Sequence, residues 1–320
     1  IKAYVDTKSE DYRLLFMMDE VGQYIGTDTD MLLNFQSLTE KLGSECGGKV
    51  WVIATGQEAL DEVVKVRQDE FSRIMARFKT RLSLTSSSVD EVIQRRILAK
   101  NEEGKAALRE AYKKTEASLD NLFMFKDTPA DLKGFKNEEI FVANYPFVPY
   151  QFPLLQKVFY QVRKKGNTGK HLAGGERSML SSFQEAAIQI KTRDEYALAP
   201  FYRFYDTMRG FLDSSINRVI DRCEKAAQAE EGLEFFDVDV LKCLYLIRYV
   251  ENDLPGNADN VMILMADSLD LDKVKSRQKI NASLERLLKQ NYIGRTGDVF
   301  KFLTDEEQDI QRDIDGMDVD

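Results

Sequence analysis

Two five-residue runs, "LLFMM" (Leu14 to Met18) and "VWVIA" (Val50 to Ala54), contain no polar residue. A strand with one wet face alternates apolar and polar residues. An unbroken apolar run instead suits a strand of a parallel sheet covered on both faces. Between the runs, "DMLLNFQSLTEKLG" repeats apolar residues at helical intervals and ends at Gly43, placed as a C-cap. Parallel neighbours need a crossover connection, so strand, helix and strand predict a βαβ unit. "RLSL" (Arg81 to Leu84) predicts one more short strand, and residues 1–88 read as a truncated α/β core.

A chain of 320 residues is long for one domain, and two further regions follow. Residues 89–232 read as mostly helical. "SVDEVIQRRILAKN" opens with a Ser88–Glu91 capping box. "GKAALREAYKKTEASLDNLFMF" has helical spacing, as do "ERSMLSSFQEAAIQI" and the stretch from Phe201 to Ala227. Pro146, Pro149 and Pro153 forbid a continuous helix through "NYPFVPYQFPLLQKVF". Residues 233–320 predict three helices, then two strands about the Thr-Gly-Asp turn of "YIGRTGDVFKFLT", and an acidic tail after Asp305 that is a solvated helix or disordered.

Composition excludes several classes. No apolar run approaches the ~20 residues that span a bilayer, so no membrane association is expected. Cys46, Cys223 and Cys243 are scattered and odd in number, which argues against a disulfide framework and for a reducing cytoplasm. A lone histidine, His171, cannot build a multi-histidine metal site. Net charge is −9, so nucleic acid would need a local basic patch.

The first apolar run ends in adjacent carboxylates, Asp19 and Glu20. Open α/β sheets bind ligands at the carboxyl ends of their strands. Two like charges there repel unless a cation or proton intervenes. A Walker B motif has this form: Asp19 would hold Mg²⁺ through water, and Glu20 would orient and deprotonate the attacking water. The second run ends in Thr55, with Gln57 beyond, where AAA+ ATPases place a sensor 1 side chain. Arg73, Arg77 and Arg81 follow, and an arginine reaching a neighbour's γ-phosphate stabilises transition-state charge. "GGERSMLSSFQEAA" puts Arg177 in the first turn of a helix, resembling a sensor 2 element. No GxxxxGK[ST] precedes Asp19; "GNTGKH" (Gly166 to His171) is a look-alike without the spacing or the Ser/Thr. With no phosphate cradle, the expectation is either an excised C-terminal part of a larger ATPase or a degenerate paralogue, and a first residue other than Met favours excision. Independent ATP binding and turnover are not expected of it.

Together, "LLFMMDEVGQYIG", "VWVIATGQE", "RFKTRLSL", "YPFVPYQFPLLQKVF" and "GGERSMLSSFQEA" resemble BrxC/PglY, the large P-loop ATPase of bacteriophage exclusion (BREX) systems. The resemblance covers most of residues 13–303. It implies a partial AAA+/P-loop parallel sheet from Walker B onward, a helical lid (89–232) and a C-terminal winged helix-turn-helix. It also implies ATP and Mg²⁺ in the full-length protein, a homo-oligomer, and work with a methyltransferase and other BREX components.

In the third C-terminal helix Ile280, Leu284, Leu287 and Leu288 share one face. Lys279, Arg286 and Lys289 lie opposite, and Arg295 stands at the tip of the following hairpin. That is the layout of a winged helix, and these four cations are its DNA-binding candidates. Docking on a neighbouring protein domain suits the same face equally well. Two other readings remain open: a non-hydrolysing DNA or protein interaction module, and an origin-recognition-like AAA+ replication initiator.

Overall fold

The computed structural model describes residues 1–25, 29–55, 80, 89–165, 175–212 and 214–316. They fall into two compact units, 1–85 and 86–320. The described residues are mostly helical, with two small two-stranded sheets.

In the first unit α1 (Lys2–Asp6) precedes β1 (Leu14–Met18), then α2 (Val21–Ile25), α3 (Thr29–Glu45) and β2 (Val50–Ala54). The strands pair in parallel with Leu14 opposite Val50 and Met18 opposite Ala54, and the long α3 makes the crossover. Gly43 does not cap this helix: α3 runs on to Glu45, and Gly47 and Gly48 make the turn at φ of +56° and +74°. Nothing crowds Gly43, so a helical glycine is tolerated there, whereas the left-handed turn requires residues without a Cβ.

The apolar runs are not buried on both faces. Val5, Leu42, Cys46 and Val50 form a small core, with Leu14, Phe16 and Val52 packed against it. On the other face Leu15, Met17, Trp51 and Ile53 are exposed by 49, 75, 60 and 46%. Burial therefore alternates along β1, because in this unit the described helices pack on one side of the pair. The expected "RLSL" strand and the arginines before it lie outside the described residues.

The second unit opens with α4 (Val89–Val92), which widens into a π-helical turn at Ile93–Ile97. Then come α5 (Glu102–Leu122), α6 (Glu138–Asn144), α7 (Gln151–Lys165) and α8 (Gly175–Gln189). Asn101 and Asn137 cap α5 and α6 by accepting from Gly104 N and Ile140 N. Pro146 and Pro149 lie between helices as expected. Pro153, however, sits inside α7, in the first turn, where a missing N–H leaves no helical bond unmade. Gln151 locks the entry to α7, accepting from Val148 N at 3.0 Å and donating to Ala199 O at 2.8 Å. Phe147 and Phe152 then pack on Phe183 of α8, the second pair stacked at 4.5 Å.

The stretch from Phe201 is broken rather than continuous: α9 (Phe204–Met208) lies between short 3₁₀ turns, and α10 spans Ser214–Gln228. The C-terminal part holds α11 (Phe235–Ile247), α12 (Ala258–Leu264), α13 (Lys273–Lys289) and a hairpin of β3 (Ile293–Thr296) and β4 (Val299–Phe302). Gly297, at φ +64°, turns the hairpin. Asn257, just before α12, forms an antiparallel bridge with Val299. The acidic tail begins as α14 (Asp305–Gly316) and is anchored: Asp305 pairs with Arg222 at 2.8 Å, and Glu307 with Arg248 at 2.8 Å. One hydrophobic core runs from Val89 to Phe302 without a break near residue 232. Cys46, Cys223 and Cys243 are buried free thiols. Among the described residues no helix is long and apolar enough to cross a membrane.

Candidate functional site

Parallel pairing brings the ends of β1 and β2 side by side, which places Asp19 and Glu20 next to Thr55. The Thr55 hydroxyl donates to Asp19 Oδ1 at 2.5 Å and accepts from the Glu20 backbone N–H at 3.1 Å. Backbone bonds flank it: Thr55 N to Met18 O at 3.0 Å and Val21 N to Thr55 O at 3.1 Å. Glu20 is thereby held at φ +52°, a left-handed conformation that costs a residue with a Cβ about 1–2 kcal/mol. Such strain persists only where the surroundings over-determine it, and it gathers at functional sites. Here one threonine supplies much of the constraint. Asp19 and Thr55 are exposed and Glu20 is half-buried, so the doublet opens to solvent at the sheet's carboxyl end.

The other nucleotide-site candidates lie either outside the described residues or in the second unit. Arg73, Arg77, Arg81, Gln57 and the Gly166 to His171 segment lie outside the described residues. Arg177 is the third residue of α8, in its first turn, and belongs to the other unit.

The four C-terminal cations differ in their surroundings. Arg286 is engaged internally: its Nε and Nη2 each donate to the Asp237 carboxylate at 2.7 Å, and Nη1 lies 3.3 Å from Glu234. Asp237 is fully buried, and the Asp237 hydrogen bonds raise the Arg286 guanidinium above its usual range. Lys279 and Lys289 are exposed; the Lys279 ammonium rests 3.8 Å from the centre of the Phe236 ring. Arg295 curls back, donating from Nε to Gly297 O at 2.7 Å. Earlier cations of α13 are also occupied, Lys273 by Asn121 O and Arg277 by Asp259.

Residue spacing did not point to Asp237 or Asp239. A signal for both was present. They are the only acids in "FFDVDVLKCLYLI", a helix apolar nearly all round, so each must find a partner or a cavity. Among the described residues no group of three or more His, Cys, Asp or Glu side chains could hold a metal ion. No family model matches the chain. No solved structure matches it either.

Proposed function

We propose that residues 1–88 contribute to the nucleotide-hydrolysing core of an AAA+-like ATPase of the BrxC/PglY kind, acting in prokaryotic antiphage defence. Residues 89–232 would be its lid and residues 233–320 a winged helix. The observation that carries the reading is the Asp19–Thr55 hydrogen bond across neighbouring parallel strands. It puts a carboxylate and a hydroxyl at the carboxyl ends of adjacent strands, where open α/β sheets bind ligands.

In this reading Asp19 would hold Mg²⁺. A single exposed carboxylate suits a cation that keeps most of its waters and takes other ligands from phosphates. Bound there, Mg²⁺ would neutralise charge on the phosphates. Glu20 orients the attacking water and accepts its proton. Thr55 fixes both neighbours and would place a hydroxyl toward the γ-phosphate. Residues 1–320 contain no GxxxxGK[ST] before Asp19, so in this reading a phosphate loop is supplied in trans or by a further segment. The bare face of Leu15, Met17, Trp51 and Ile53 supports a sheet that further α/β polypeptide covers, since parallel sheets are ordinarily clothed on both sides.

The order α11, α12, α13 and hairpin, with the Asn257–Val299 bridge, supports the winged-helix reading. DNA contact would fall to Lys279, Lys289 and Arg295, because the Arg286 guanidinium already serves Asp237. Three cations give weak, salt-sensitive binding. Homo-oligomerisation and work with a methyltransferase and other BREX components belong to the same proposal.

The test is Glu20→Gln in the protein that joins this chain to a phosphate-binding loop. ATP turnover should fall at least about 100-fold, the scale of a lost general base, while ATP binding persists. Unaltered turnover would reject the assignment.

A further inference from the structure

Away from the carboxylate doublet, the second unit contains a cavity of about 360 Å³ between the turn before α9, the start of α11, the end of α12 and the middle of α13. Its volume lies at the small end of the ~300–1,000 Å³ of ligand pockets. Phe236, Met262, Met265 and Ile280 contribute the apolar part of its lining. The polar wall holds Arg203, Asp239 and Lys279.

Two cations stand on that wall. Arg203 Nη1 donates to Gln189 Oε1 at 2.7 Å, and its Nε is covered, with no hydrogen-bond partner among the described residues. The guanidinium is thus only partly satisfied within the protein, which favours an acceptor brought to its remaining N–H groups. Lys279 has only the Phe236 ring beneath its ammonium and forms no ion pair among the described residues. Against these stands Asp239. The other charges on the lining, Arg193 and Asp267, pair with each other at 3.4 Å, and Lys242, whose charge reaches Asp239, pairs with Asp206 at 3.4 Å. With Asp239 set against Arg203 and Lys279, this lining carries one net positive charge, which one carboxylate neutralises and a dianion would exceed.

We propose that this cavity binds a small organic monocarboxylate, its carboxylate on Arg203 and Lys279 and its apolar body against Phe236, Met262 and Met265. Burial pushes the Asp239 carboxyl up to about 6, against the opposing pull of Lys242, Tyr202 and Arg203. Tyr202, pushed up to about 12 chiefly by burial, stays neutral across the physiological range. An ionised Asp239 repels an incoming carboxylate. Binding therefore tightens as pH falls through about 6, while an ordinary carboxylic acid with a pKa near ~4 remains charged.

The probe is phenylacetate, with phenylacetamide as its uncharged match, titrated by calorimetry into the intact chain. Phenylacetate should saturate a single site and bind about tenfold or more tighter than the amide. Lys279→Met and Arg203→Gln should each weaken it about tenfold. Asp239→Asn should tighten binding at neutral pH and abolish its pH dependence. Lys279 is exposed, so its variant tests the site even if Arg203→Gln unfolds the protein. Equal binding of acid and amide, no saturable binding, or an unchanged affinity in Lys279→Met would each overturn the proposal.

Discussion

At the scale of single residues, the Asp237–Arg286 pair shows how the same helical face can be read correctly and used differently. Periodicity puts Arg286 away from Ile280 and Leu284, and it does leave the innermost core to them. What periodicity cannot supply is the carboxylate 49 residues earlier in the chain that meets it. Asp237 also accepts from Glu234 N at 2.8 Å, so it closes the start of α11 and binds α13 to it at once. Removing one partner of a buried pair leaves an uncompensated charge, which costs about 3–5 kcal/mol. Arg286→Met should therefore lower urea stability by about that amount. Lys289→Ala, on the exposed side of the same turn, should stay within about 0.5 kcal/mol. Equal effects of the two would mean that Arg286 is a surface cation after all. The Asp19–Thr55 contact was more legible, because both residues end apolar runs and parallel pairing in register leaves their ends adjacent.

At the scale of elements, helices were readable where an amphipathic stripe continued, as in α13, whose Ile280, Leu284 and Leu287 are all at most 1% exposed. Boundaries were less so. Gly43 and Pro153 are strong local punctuation, yet both fall inside helices, since neither position demands what the residue lacks. Burial of the two strands was overestimated for a different reason: an apolar run tells what a strand could bury, not what polypeptide is there to cover it. Gly256 was the converse, a glycine whose Pro-Gly setting signals only a turn but which has a firm steric reason. Its carbonyl accepts from Phe300 N at 3.0 Å, so the approach to α12 runs beside β4. A Cβ there would come 2.5 Å from Phe300 O and 3.1 Å from Leu244 Cδ2. Phe300 backbone on one side and the fully buried Leu244 side chain on the other leave little room to yield, so Gly256→Ala should cost about 2–3 kcal/mol, the upper range for overpacking. Amide exchange should quicken first in β4. A neutral substitution would show that the two segments are not held this closely.

At the scale of the whole molecule, composition and pattern divided the second unit at residue 232, between a lid and a C-terminal domain, and the packing joins the two. The buried stripe of α10 (Ile216, Val219, Ile220 and Cys223) packs against α11 on the other side of that boundary. Tyr205 meets Tyr245 edge-on at 5.9 Å. Asn260, fully buried, accepts from Lys126 N at 2.8 Å and donates to Lys126 O at 2.9 Å. Arg222 clasps the start of α14 through Asp305. Each large apolar side chain stripped of its neighbour forfeits about 1.5–3 kcal/mol, and each orphaned buried polar group about 1–3 kcal/mol. A few such losses exceed the roughly 5–15 kcal/mol that holds a domain together. Residues 86–320 expressed alone should therefore unfold in one cooperative urea transition. Residues 233–320 alone should retain helical far-ultraviolet dichroism but lose fixed near-ultraviolet signal and bind a hydrophobic dye. Cooperative unfolding of the shorter piece, with dispersed amide resonances matching those it shows within 86–320, would mean that these cross-boundary contacts are an interface between two domains and not one core.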